Sequence, residues 1–371
     1  MDWNLKDLYS SIESKEIKSD FVKLEKRSLK FSKKYRNKIS ENSSAKTVLE
    51  SIVELEKIYE GLGKISSYSS LLFAADTNNE KYSKFYQDSS EKISNIRKNL
   101  IFYFLSWNKI SERKAKKIYS NPILVKYSHL LKSERKYKKY MLSEPEEKIL
   151  DKKSITSSRA FNRLFDQTLN NLKFDVKLKG KKHILTETEV LALLYDKERK
   201  VRTEAARSLT EGLKSERKLL TFIFNQILTD SKITNEIRGH TSPMDSRNLS
   251  NEISQKTVDA LIQTCNKYNK FPIRYYKLKS KMLKIKNFMD FDRYTPLGQS
   301  SKKFTFNQAK NIVLDSFNEF SPQMGKVAKL FFDNNWIDYK LRKGKRGGAF
   351  SHSCVPSVHP YILMNFTGKI R

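Results

Sequence analysis

The clearest pattern along the chain is a set of apolar residues that recur at steps of three and four, as on one face of an α-helix. One run, between about residues 45 and 72, consists of Ile52, Leu55, Tyr59, Leu62 and Ile65. A second run consists of Ile93, Ile96, Leu100, Tyr103 and Trp107. The polar segment 76–79 separates them. The pattern predicts an antiparallel pair of long helices whose aromatic faces form a core.

A different pattern follows at 174–185, where apolar and polar residues alternate around Gly180. This alternation predicts a β-hairpin. Thr186 with Glu189 is a capping box that starts a new helix, and Ser143 caps an earlier one. We therefore predict a helical N-terminal domain at 1–185 and a second domain at 186–371.

Amphipathic helices are predicted again in the second half. One has an apolar face made of Val258, Leu261, Ile262, Cys265 and Tyr268. Another covers residues 309–320 and is ended by Pro322.

Composition agrees with a mainly α fold. The 371 residues include 22 Phe and 18 Tyr, enough for a large core, but 11 Gly and 8 Pro, too few for a chain of many tight β-turns. The fold class expected is mainly α, with a hairpin in the first domain and a small β element near 344–351.

The formal net charge of +32 raises the question of nucleic-acid binding. The basic residues are spread in short groups along the chain, and no recognition motif accompanies them. Codon bias in an AT-rich genome explains the abundance of Lys, Asn, Ile, Phe and Tyr better than a nucleic-acid partner does. Nucleic acid is therefore not the expected partner.

The two cysteines, Cys265 and Cys354, form no C-x-x-C pair or disulfide framework. The first residues do not resemble a signal peptide, and no run approaches the roughly 18 apolar residues of a membrane span. We expect a cytoplasmic protein with no membrane contact.

Short motifs along most of the chain carry a family resemblance. They occupy 3–9, 159–165, 196–205, 275–279, 292–297, 336–338 and 344–351. In this order they resemble the oligoendopeptidase F branch of the thimet-oligopeptidase family of zinc metallopeptidases. The resemblance implies a helical peptidase that hydrolyses short peptides.

By that resemblance, the segment Gly347, Gly348, Ala349, Phe350 and Ser351 binds substrate. Gly348–Ser351 would be an edge strand beside the zinc, to which an extended peptide adds its backbone. Small residues allow a second backbone to approach, and main-chain hydrogen bonds do not demand a particular side chain. An ordinary glycine-rich turn that leads into a strand is the alternative.

The family's zinc motif, H-E-x-x-H, is absent from these 371 residues, because none of the five histidines is followed by Glu. Two ligands and the general base are thus absent, so we expect neither bound zinc nor catalytic residues. A separate zinc site made of His352, Cys354 and His359 is the less favoured alternative, since it lies on an irregular segment.

Three functions remain open at this point. The favoured hypothesis is an oligoendopeptidase F-like chain that is interrupted before its zinc helix and inactive alone, with the missing catalytic segment as a partner. The second is a non-catalytic helical scaffold that binds peptides or proteins. The third is a basic RNA-associated protein, whose binding would depend steeply on salt.

Overall fold

Helices make up most of the computed structural model, which describes residues 3–298 and 303–368. The first part contains α1 (Lys15–Tyr35), α2 (Ala45–Ala75), α3 (Glu80–Arg97), α4 (Phe102–Lys109), α5 (Glu112–Tyr119), α6 (Ser128–Lys136), α7 (Glu144–Lys153) and α8 (Ser158–Asn171). Short 3-10 helices lie at Pro122–Tyr127 and Lys138–Tyr140.

The remainder begins with a hairpin of β1 (Phe174–Leu178) and β2 (Lys181–Leu185). There follow α9 (Glu187–Leu193), α10 (Arg199–Ser215), α11 (Arg217–Ile237), α12 (Asp245–Ser250), α13 (Gln255–Tyr268), α14 (Lys270–Met282), a 3-10 helix at Asp290–Asp292, α15 (Phe306–Phe320) and α16 (Pro322–Asp333). The last strands are β3 (Ile337–Asp338), β4 (Phe350–His352) and β5 (Tyr361–Leu363). The mainly α fold class is confirmed.

The first amphipathic run forms one long helix, as predicted, and α2 begins with Ser44 as its cap. The second run is not one helix, so that prediction was wrong. The chain turns after Arg97 through short-range bonds such as Leu100 N to Arg97 O at 2.8 Å, and α4 then starts at Phe102. Ile93 and Ile96 therefore lie on α3, whereas Tyr103 and Trp107 lie on α4, and Phe102 and Tyr103 are both only 1% exposed in the core.

The hairpin, the capping box at Thr186 and the cap at Ser143 are confirmed. β1 pairs with β2 in antiparallel register, and Lys179 and Gly180 form the turn at φ of 47° and 78°. Glu189 N donates to Thr186 Oγ1, while Thr186 N donates back to the Glu189 carboxylate. This reciprocal pair fixes the start of α9.

The main core joins the two ends of the described chain. It contains buried residues between Trp3 and Leu131 together with Tyr361 and Leu363 of β5. A smaller core surrounds Phe174 and Val190, where the hairpin packs against α9 and α10. The boundary near residue 185 stays a prediction, and the terminal sheet packs against helices from before that boundary.

Two of the motif segments that are distant in sequence meet beside this smaller core. Asp292 is fully buried and accepts a bond from Arg202 Nη2 at 2.7 Å and from Arg199 at 3.0 Å. Burial acts to raise the pKa of Asp292, but the two arginines outweigh it and hold this pKa below its usual range. The ion pair therefore joins α10 to the 3-10 helix at Asp290–Asp292.

The helices α13 and α15 form where they were predicted, but their apolar faces are exposed. In α13, Leu261 is 64% exposed and Ile262 is 52% exposed. In α15, Phe320 is 81% exposed. No helix within 3–298 or 303–368 has the length and apolar run of a membrane span.

Candidate functional site

The predicted substrate segment leads into a strand at the edge of a three-stranded sheet. The strand order is β3, β5, β4, so β5 is central, parallel to β3 and antiparallel to β4. Phe350 pairs with Leu363, and His352 pairs with Tyr361. On its other side β4 pairs with no strand in the described parts of the chain. Its outer backbone groups can therefore receive another extended chain.

The strand begins at Phe350, two residues later than predicted. Gly348 has a φ of +74°, a left-handed conformation that an extended strand cannot contain. Gly347, Gly348 and Ala349 thus form the turn before the strand rather than its first residues. Ala349 and Ser351 are exposed, whereas Phe350 packs partly buried against the main core. This anchor leaves the backbone on either side of Phe350 accessible.

Two carboxylates lie next to this segment, and sequence reasoning missed both. A Cβ added at Gly347 would lie 3.3 Å from Glu187 Oε2, so glycine allows the carboxylate to approach. Asp166 Oδ2 lies 3.5 Å from Arg346 Nη2. Burial raises the pKa of Glu187 and of Asp166, with Arg346 opposing the second shift. In sequence these residues had no distinguishing signal, since Glu187 occurs in an ordinary helix start.

The histidines near the strand are held by other partners. His352 Nε2 is 3.0 Å from Ser67 Oγ, and burial lowers the pKa of His352. His359 Nε2 is 2.9 Å from Asp7 Oδ2, and its ring stacks on Trp336 with centroids 3.4 Å apart. Each of these contacts belongs to the packing of the terminal sheet on the N-terminal helices.

The thiol of Cys354 also hydrogen-bonds with Ser67, and burial raises its pKa. Across residues 3–298 and 303–368, no three side chains among His, Cys, Asp and Glu converge as metal ligands. The alternative zinc site at His352, Cys354 and His359 therefore has no geometric support.

Two family models match this chain, and both describe peptidases. The model of Peptidase family M3 matches residues 192–371, and that of Oligopeptidase F matches residues 107–174. The chain is 26% identical to oligopeptidase PepF of Bacillus subtilis over 99% of its own length and 55% of that protein. It is also 26% identical to the chromosomal oligoendopeptidase F of Lactococcus lactis subsp. cremoris, over 88% of this chain and 55% of that one.

Solved structures agree on the fold. Oligoendopeptidase-F from Enterococcus faecium matches with a TM-score of 0.68 at 19% identity, over 86% of this chain and 66% of that chain. PZ peptidase A with an inhibitor matches with a TM-score of 0.74 at 14% identity, over 95% and 59%. The chain belongs to the oligoendopeptidase F family, and it spans about half the length of the curated relatives it matches.

Metallopeptidases of family M3 are generally zinc-dependent. The described residues do not fit that metal, since the histidines available near β4 are bound to Ser67 and Asp7 and lie within no cluster of three ligands. The relation of this chain to zinc is thus through the family.

Proposed function

We propose that β4 and the turn before it form the peptide-binding wall of an oligoendopeptidase. An extended short peptide pairs its backbone with the free edge of β4, and the residues Gly347, Gly348, Ala349, Phe350 and Ser351 provide the contact. The observation that carries the proposal is the position of β4, outermost in its sheet and without a described strand beyond it.

Backbone pairing suits an enzyme that accepts many short peptides. Main-chain hydrogen bonds hold any residue type, while the side chains of the peptide alternate to either side of the strand. The exposed Ala349 and Ser351 present little bulk to an incoming backbone. Glu187 adds a carboxylate near the turn, which favours a peptide with a basic group at that end.

Hydrolysis itself needs chemistry that these 371 residues do not contain, because the H-E-x-x-H motif is absent from them. We infer that this chain by itself binds peptides without cleaving them. A polypeptide that corresponds to the rest of the M3 domain would supply the zinc ligands and the base. The exposed apolar faces of α13 and α15 support such a partner, since a face of this kind is stable only when covered.

The test is peptide binding, measured by fluorescence anisotropy with a short, uncharged, fluorescein-labelled peptide. Ala349→Pro removes the backbone donor immediately before the strand, so we expect binding to weaken about tenfold, the effect of one lost hydrogen bond. The matched control, Ala349→Ser, keeps the donor and should bind like the unmodified chain. A peptide whose backbone nitrogens are methylated should bind poorly to all three.

Equal affinity of the proline and serine variants would contradict the proposal, and residues 347–349 would then be only a structural turn. Circular dichroism of each variant shows whether the fold is intact, so a loss of binding can be assigned to the strand.

A further inference from the structure

A buried ion cluster lies directly beneath the turn that precedes β4. The side chains of Lys345 and Asp338 are both fully buried and meet at 2.8 Å. Three carbonyl oxygens also surround Lys345 Nζ, those of Asp338 at 3.0 Å, Lys340 at 2.9 Å and Met364 at 2.8 Å, so its three N–H donors are shared among four acceptors. One ammonium group thus connects the end of β3, the following loop and the residue after β5.

Arg342 completes the cluster from the side of the helices. It donates to both carboxylate oxygens of Asp338 and, at 3.0 Å, to the carbonyl of Ala75 at the end of α2. Burial acts to raise the pKa of Asp338, but the bonds from Arg342 and Lys345 outweigh it and hold this pKa below its usual range. Asp338 is therefore ionised, and its charge is matched within the protein.

Buried ion pairs add little net stability compared with apolar residues of the same volume. We therefore explain this cluster by the backbone positions that it fixes. A methionine in place of Lys345 would fill similar space without burying a charge. The ammonium group of Lys345, unlike methionine, fixes the positions of three carbonyl oxygens from separate segments.

Other hydrogen bonds hold the segment 344–348, which leads into β4. Gly344 O accepts from the backbone N of Thr77 at 2.7 Å and from its hydroxyl at 2.9 Å. Arg346 N donates to Ala74 O at 2.9 Å. Asn365 Nδ2 donates to Arg346 O at 3.0 Å and to Gly348 O at 2.9 Å. The backbone is thus fixed up to the residue immediately before Ala349.

From this arrangement we infer that Lys345 and Asn365 are positioning residues for peptide binding. They hold the turn so that the outer edge of β4 is ordered before a peptide arrives. A strand of three residues is short for independent order, and a site that is already ordered pays less entropy on binding. The inference rests on the proposed pairing of peptides with β4, and it names the side chains that prepare that strand.

The experiment compares Lys345→Met and Asn365→Asp with a matched control, Lys343→Met. Lys343 is exposed on the same turn, so its substitution makes the same chemical change outside the cluster. Asp at 365 keeps the shape of Asn but offers no N–H to Arg346 O and Gly348 O. Amide hydrogen exchange at 350–352 and anisotropy with the labelled peptide are measured for each variant.

We expect Asn365→Asp, which loses two hydrogen bonds, to make exchange at 350–352 about tenfold faster and to lower peptide affinity about tenfold. Lys345→Met should change both more strongly, because it also leaves the buried Asp338 without one of its countercharges. Exchange in α2 should not change, and Lys343→Met should behave like the unmodified chain. Faster exchange at 350–352 without faster exchange in α2 would show that these side chains order β4 and do not merely stabilise the whole fold.

Unchanged exchange at 350–352 would overturn the inference, and so would faster exchange throughout α2, which would assign the cluster to overall stability. Asn365→Asp lies at a partly exposed position and decides the matter if Lys345→Met does not fold. If the unmodified chain binds no peptide, the proposed function fails, while hydrogen exchange still decides whether Lys345 and Asn365 order the strand.

Discussion

Single buried charges fix how distant segments of this chain meet. Asp292 is 0% exposed and bonds to Arg202, which is 1% exposed, and the two come from motifs about ninety residues apart. Both motifs were visible in the sequence, but their contact was not. A buried carboxylate must pair with a countercharge, but the sequence does not show which carboxylates are buried.

We expect Asp292→Asn to lower the free energy of unfolding by about 3 kcal/mol, because it leaves the buried Arg202 without its countercharge. Chemical denaturation followed by circular dichroism measures the change. Asp290→Asn is the control, since Asp290 is exposed two residues away, and it should cost less than about 0.5 kcal/mol. Equal effects of the two variants would show that the ion pair is not what holds α10 to this loop.

At the level of elements, one ion pair joins α1 to α7. Arg36, which follows α1, bonds to Glu144 at the start of α7 at 2.6 Å. Bonding by Arg36, with a smaller contribution from Lys148, lowers the pKa of Glu144 from 4.5 to about 2. Because the folded pKa lies below the unfolded one, the contribution to stability is present above pH 4.5 and is lost as the pH falls toward 2.

Taken alone, that shift corresponds to roughly 3 kcal/mol, but Arg36 is partly exposed and screening by water reduces the effect to about 1 kcal/mol. We therefore expect Glu144→Gln to cost about 1 kcal/mol at pH 7 and almost nothing near pH 2. Urea denaturation across this range measures the difference. Arg36→Gln should show the same pH dependence, and the double variant should add little. A cost that did not change with pH would rule out the ion pair as its cause.

Element boundaries show where sequence patterns suffice. Capping boxes and the hairpin turn depend on residues within four positions of each other, so Thr186, Glu189 and Gly180 were enough to predict them. The break between α3 and α4 falls inside the apolar run from Ile93 to Trp107. The spacing of three and four residues continues across this break, so the pattern alone could not reveal it.

On the scale of the whole molecule, the second half presents apolar helix faces to solvent. Leu261, Ile262 and Phe320 are each more than half exposed. The family relatives extend well beyond the matched region, since the chain covers 55% of the Bacillus subtilis protein. These two observations together favour a further polypeptide segment as the cover of α13 and α15.

We expect the portion of the Bacillus subtilis relative that lies outside the matched region to associate with this chain when the two are expressed together. Association should slow proteolysis within Gln255–Tyr268 and produce peptide hydrolysis that a zinc chelator abolishes. Native gels and a quenched fluorescent peptide measure these effects. The double variant Leu261→Ser and Ile262→Ser should fold normally but associate more weakly.

Failure of the two segments to associate would contradict the proposed partner. Hydrolysis by this chain alone would contradict the proposal that the partner supplies the catalytic residues. Proteolysis of the isolated chain provides the reference, because we expect α13 to be cleaved much faster than α2, whose residues lie in the main core.

Local chemistry in the sequence determined helices such as α2, α13 and α15, the hairpin, the caps and, through ordered motifs, the family of this protein. Periodicity and capping act over a few residues, so they can be read along the chain. The tertiary structure alone decided that β4 is an edge strand starting at Phe350, that Lys345 and Asp338 are buried together, and that His352 and His359 bind Ser67 and Asp7. These features depend on which surfaces lose water when distant segments pack, and that is a property of the folded chain.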